Sequence, residues 1–137
     1  MTSNRAIPFD LAHVAGADEF HQATAEQFRQ ALGPGVLMSL GATRLTAVPG
    51  RYDRGGLMFT ARILPFTRTG DRYAAARNMA VLISTTPLDE IDVEVREYAR
   101  GIEHAKIEGV YIDQLARAVL ALDYDGPEPL NPRYWQQ

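Results

Sequence analysis

The chain has 137 residues, 46% of them hydrophobic and 23% charged, with a net charge of −3. That describes one ordinary domain, long enough to bury a core without disulfides or metal, and excludes a disordered tail or a collagen-like repeat. Cysteine is absent, which removes thiol nucleophiles, disulfide frameworks and cysteine-based zinc sites together.

In chain order, residues 1–17 show no period and read as an irregular N-terminal arm, with Pro8 and Gly16 as punctuation. Asp18 suits a helix N-cap, with Glu19 favourable in the first turn. Phe20, Ala23, Gln27, Phe28, Ala31 and Leu32 then place an apolar stripe on a helix over 19–32. Gly33-Pro34-Gly35 ends it. Val36 to Leu40 is a short apolar run that reads as a buried strand, with a bulge or close approach at Gly41-Ala42. Residues 43–56 hold the strongest turn signals, Pro49-Gly50 and Gly55-Gly56.

Leu57, Phe59, Ala61 and Ile63 alternate with Met58, Thr60, Arg62 and Leu64, which predicts a strand over 57–64 that Pro65 stops. Phe66 to Asn78 reads as a loop, long for a simple hairpin and therefore a candidate functional segment. Met79 to Thr85 has strand length and apolarity. Ile91, Val93 and Val95 alternate with Asp92, Glu94 and Arg96, the clearest half-buried strand pattern in the chain. On that pattern Asp92 and Glu94 belong to a solvated face. Ile102 to Ile107 reads as an edge strand. Tyr111, Leu115, Ala118, Val119 and Leu122 predict an amphipathic helix over 110–123. Pro127, Pro129 and Pro132 keep the tail 124–137 irregular.

The expected fold is therefore α+β: a single antiparallel sheet of four or five strands, with an N-terminal and a C-terminal helix packed on one face. The whole chain is expected to be a single domain, its core spanning 18–123. The apolar runs Ala80 to Ile83 and Ala118 to Leu122 fall far short of the roughly 20 residues of a membrane span. Met1-Thr2-Ser3-Asn4-Arg5 has no apolar stretch behind it, so no signal peptide and a cytoplasmic location are expected.

Catalytic signatures fail one by one. The glycine-rich stretches 33–41 and 50–56 contain neither Gly-Lys-Ser/Thr nor G-x-G-x-x-G, and there is no G-x-S-x-G elbow. His13, His21 and His104 have no metal-ligand spacing. The reading is of a non-enzyme with no catalytic residues, no metal and no cofactor.

Charge is distributed unevenly. Residues 44–77 carry seven arginines against Asp53 and Asp71, a net of +5, while residues 78–137 carry a net of −6. Thirteen of the fourteen basic residues are arginine, whose planar fork matches phosphate and carboxylate. Arg51, Arg54, Arg62, Arg68, Arg72 and Arg77 interleave with Tyr52, Phe66 and Tyr73. Arginine neutralises phosphate and an aromatic ring stacks on a base, so these nine residues are the candidate ligand site for a single-stranded nucleic acid or a nucleotide.

Leu40-Gly41-Ala42, Leu57-Met58-Phe59, Val81-Leu82-Ile83, Leu88 to Glu94 and above all Gly109-Val110-Tyr111-Ile112-Asp113-Gln114-Leu115 together resemble a family of small tailed-phage and prophage proteins. The resemblance spans roughly residues 20–123 and departs at Thr43-Arg44-Leu45, in the longer arginine loops and near Leu122-Asp123-Tyr124. It assigns no catalytic residue. It implies a phage-type accessory binding protein in the bacterial host cytoplasm.

Two alternatives stand beside nucleic-acid binding. One is a protein-binding anti-defence or host-takeover factor that meets a host or phage protein, supported by the bipolar charge and by Tyr134-Trp135. The other is an oligomeric structural component of a phage particle. An uncovered sheet face and opposite charge in neighbouring segments predict a homo-oligomer.

Overall fold

The computed structural model describes residues 11–63, 77–97 and 103–120, with the side chains of Arg77 and His104 excepted. Residues 66–76 of the predicted loop 66–78, most of the N-terminal arm and the tail 124–137 lie outside the described residues, while Arg77 and Asn78, at the end of that loop, already belong to the strand Arg77–Thr85.

The α+β class is observed, as one mixed sheet of six strands. In chain order the elements are β1 (Ala12–His13), α1 (Glu19–Ser39), β2 (Thr43–Val48), β3 (Gly56–Ile63), β4 (Arg77–Thr85), β5 (Ile91–Glu97), β6 (Glu103–Val110) and α2 (Leu115–Leu120), with a 3-10 turn at Ile112–Gln114. The strands neighbour one another in sequence order, as successive short connections favour.

The expectation of four or five antiparallel strands needs two corrections besides that of β2, whose residues Thr43–Val48 lie in the segment 43–56 that the sequence predicts to turn. β2 to β6 are antiparallel, but β1 adds a sixth strand that runs parallel to β2. β1 has only two residues, too short to show any period inside what reads as an irregular arm. The second correction is Val36 to Leu40, which is helical. α1 breaks at Gly33 (φ 77°, ψ 160°), and Pro34 starts a second helical segment where its missing N–H costs nothing. A short apolar run does not by itself tell a strand from a turn of helix. Here Leu37 and Leu40 are buried while Met38 is 66% exposed, the helical pattern.

Gly41 is a helix cap, where a bulge or close approach after a strand is expected from the sequence. It has φ 61°, and the Gly41 and Ala42 amides donate to the carbonyls of Met38 and Leu37 at 3.0 and 2.9 Å. This paired capping requires a left-handed residue after the helix. Gly41→Ala should lower stability by about 1 kcal/mol in urea denaturation.

One face of the sheet is apolar and covered. Leu57, Phe59, Ala61 and Ile63 of β3 stand beside Met79, Val81 and Ile83 of β4 and Ile91, Val93 and Val95 of β5. Ala25, Phe28, Leu32, Leu37 and Leu40 from the α1 region, and Leu115, Ala118 and Val119 from α2, complete a continuous cluster. Leu57, Phe59, Ile63, Val81, Ile83, Ile91, Val93, Val95, Leu115 and Val119, the residues expected to form most of the core, are all buried.

The C-terminal helix starts later than predicted. Gly109 (φ 71°) and Val110 still belong to β6, and Tyr111 is 57% exposed, not packed on the sheet. The Gln114 side chain accepts from the Tyr111 amide at 3.2 Å and opens the 3-10 turn before α2. The predicted helix beyond Leu120 lies outside the described residues.

Candidate functional site

The β2–β3 loop, Pro49 to Gly55, bridges the two faces of the sheet at one end. Its own closure is the Gly55 amide donating to the Pro49 carbonyl at 2.7 Å, and the Thr85 amide ties it to β4 through the Gly55 carbonyl at 3.1 Å.

On the helix side, His21 holds the loop. Asp18 and His21 form a reciprocal cap at the start of α1: the His21 amide donates to Asp18 Oδ1 at 2.9 Å and the Asp18 amide donates to His21 Nδ1 at 3.2 Å. Nδ1 is thereby an acceptor, which leaves Nε2–H to donate to the Asp53 carbonyl at 3.2 Å. Histidine takes the glutamate position of a capping box.

On the open face, the loop lands on two acids of β5. Arg51 makes a bidentate pair with Glu94, its Nε and Nη2 each 2.5 Å from a carboxylate oxygen, and its amide donates to Ser84 Oγ at 3.1 Å. The Tyr52 hydroxyl donates to Asp92 Oδ2 at 3.0 Å, and the Gly109 amide donates to Asp92 Oδ1 at 3.2 Å. Asp92 and Glu94 are 4% and 2% exposed, so the acids read as a solvated face are in fact buried beneath the loop. The hydrogen bonds from Arg51 hold the Glu94 carboxyl below the usual carboxylate range, against the upward push of burial. Asp92 correspondingly raises the Tyr52 hydroxyl above its ordinary value.

The candidate ligand residues divide between the faces. Arg51 and Tyr52 reach the open face and engage internal carboxylates there. Arg62 stands exposed on that face, opposite to the buried Phe59 and Ile63, with Nη1 3.5 Å from Asn78 Oδ1. Arg54 turns to the helix side. Arg77 pairs with Ile63 at the start of β4. Phe66, Arg68, Arg72 and Tyr73 lie outside the described residues.

Arg54 lines a groove that the sequence did not announce. About 650 Å³ in volume, it runs between the first half of α1, the β4–β5 turn and the 3-10 turn, bounded by Phe20, Thr24, Phe28, Arg54, Asp89 and Ile112. Phe20 is 64% exposed and Ile112 50% exposed, so two large apolar side chains meet solvent at its rim. Asp89 (φ 61°) is set by a local turn: its amide donates to the Thr86 carbonyl at 3.0 Å, and Thr86 Oγ1 accepts from Leu88 and Glu90, each at 3.2 Å. Phe20 belongs by sequence to the apolar stripe of α1. Only the folded chain brings it to the same groove as Ile112, more than ninety positions away.

Among the described residues no group of three or more histidine, aspartate or glutamate side chains is placed to hold a metal, and no helix is long and apolar enough to cross a membrane. No family model matches the chain, and neither a curated protein nor a solved structure matches it.

Proposed function

We propose that the chain is a non-enzymatic, phage-type binding protein whose ligand is another protein, seated in the helix-side groove. The observation that carries this reading is the pairing of exposed Phe20 and Ile112 across a groove that also holds one cation, Arg54, and one anion, Asp89. Solvent-facing apolar side chains rimmed by charge are the ordinary composition of an interface centre and its edge. The fitting occupant is a polypeptide segment that inserts one apolar side chain between Phe20 and Ile112 and offers an acid to Arg54 and a base to Asp89. A nucleic acid supplies no cationic group for Asp89. The engagement of Arg51 and Tyr52 with buried acids also favours this reading over the arginine-rich segment as a phosphate cradle; among its described residues Arg62 stays exposed on the open face.

A photo-crosslinking residue at Gln27, on the groove wall, tests the reading in host cells. A defined protein adduct that disappears with Phe20→Ser or Ile112→Ser, both folded, is the expected result. Oligonucleotide binding tighter than about 100 μM at about 50 mM salt, lost in Arg62→Ala and indifferent to Phe20→Ser, would replace it with nucleic-acid binding on the open face.

A further inference from the structure

Resting on the groove as a protein-binding site, we infer that its partner is cationic: a segment whose lysine or arginine side chains flank the apolar one that enters between Phe20 and Ile112.

The lining of the groove is balanced in charge, Arg54 against Asp89, but its surroundings are not. Asp18 and Glu19 precede Phe20, Asp53 precedes Arg54 and Asp113 follows Ile112, and all four are exposed. Half-buried Glu90, next to Asp89, has the same sign. The cations nearby are already engaged. Arg29, beside Phe28, has Nη2 2.6 Å from Glu26, and the two charges cancel. Arg51 goes to the open face and is held by Glu94. Among the described residues, five exposed acids, Asp89 included, therefore stand against Arg54 around this groove.

Local structure explains part of that excess. Asp18 caps α1, and Glu19 suits its first turn. No such need holds for Asp53 and Asp89. Their φ values of 60° and 61° call for a residue tolerant of the left-handed region, which asparagine or glycine supplies without charge. The Asp53 side chain is 83% exposed, so its charge faces solvent at the start of α1, where His21 holds the loop.

Like charges set against one another reject a partner, and opposite charges speed its approach. The rim thus selects among occupants. It repels a nucleic acid, and a second copy presenting the same end would set acid against acid. Residues 121–137 of the chain itself carry Asp123, Asp125 and Glu128 against Arg133, again the wrong sign. A segment rich in lysine or arginine meets the rim with opposite charge. The ring of Phe20, 64% exposed, also attracts a cation placed over its face.

A random library of short peptides, selected in parallel on the immobilised full chain and on Phe20→Ser, tests the partner class. Peptides enriched only on the wild type should carry net positive charge around one large apolar residue. The most enriched of them, synthesised and followed by fluorescence anisotropy, should bind more weakly as salt rises. Asp53→Asn with Asp89→Asn, which keeps both turns, should weaken it at least about fivefold. Peptides that need Phe20 yet are neutral or acidic would overturn the cationic partner and leave the groove a protein site. So would a cationic peptide indifferent to salt and to both asparagines. Peptides enriched equally on Phe20→Ser, or none enriched beyond an unrelated immobilised protein, would overturn the groove reading and the cationic partner together.

Discussion

Gly55→Ala should remove about 3 kcal/mol of stability and lower the melting temperature by about 10 °C, read by urea and thermal denaturation. Two independent effects add here. Gly55 has φ 101°, a conformation that L side chains rarely adopt, which costs roughly 1–2 kcal/mol for any other residue. A Cβ at this position would also lie 2.7 Å from Thr24 Cβ and 2.9 Å from both Cγ2 and Oγ1 of Thr24. Thr24 is 9% exposed in the middle of α1, and its hydroxyl donates to the Phe20 carbonyl at 3.1 Å, so it has no solvent to retreat into. Relief of the clash moves the loop, and the loop carries Arg51 and Tyr52. The same substitution should therefore loosen both contacts with β5. Gly35→Ala is the matched control: it sits in the second helical segment of α1 with nothing within 4 Å of a new Cβ, and should stabilise by about 0.5–1 kcal/mol. Equal effects at the two glycines would show that Gly55 is not pressed against Thr24.

The contrast between these glycines marks where the sequence was legible. β3 and β5 could be read because apolar and polar side chains alternate along them: Phe59, Ala61 and Ile63 against Thr60 and Arg62 in β3, and Ile91, Val93 and Val95 against Asp92, Glu94 and Arg96 in β5. β2 was not read, because its pairing with β3 shifts between Thr43 and Thr46, with Arg44 at φ 59°. That irregularity breaks the period of two on which strand recognition rests. Glycines 55 and 56 announced a turn. They did not announce what packs against it.

The site was less legible than the fold for a related reason. Pattern gave the strand face of Asp92 and Glu94 correctly, since both lie opposite to Val93. Their burial is imposed from outside the strand, by Tyr52 and Arg51, which are 40 and 43 positions earlier in the chain. No local period encodes a cover of that kind. The arginine-rich segment was visible as composition, but the side on which each arginine falls is decided by the loop. Arg51 and Arg54, three positions apart, go to opposite faces of the sheet.

The second large effect follows from that cover. Arg51→Ala should cost about 2 kcal/mol at pH 7, because it leaves Glu94, 2% exposed, without its bidentate partner. The cost falls short of the 3–5 kcal/mol typical of a fully buried pair because Arg51 is itself 43% exposed and Arg96 Nη2 remains 3.5 Å from Glu94. Its pH dependence has a definite sign. Arg51 lowers the Glu94 pKa in the folded state, so the pair contributes fully above the unfolded carboxylate value of about 4.3 and is lost as pH falls through the lower, folded value. In Arg51→Ala the remaining pressure from burial acts in the opposite direction, and Glu94 takes up a proton more readily than in the wild type. The stability gap between the two proteins should therefore close as pH falls below about 4. Urea denaturation at intervals between pH 7 and pH 3 measures it. A gap that stays constant to pH 3 would assign the loss to the apolar stem of Arg51 packed over the sheet, with no part for its charge. Replacing both partners, Arg51→Met with Glu94→Leu, should recover most of the neutral-pH stability, since no buried charge is then left unpaired.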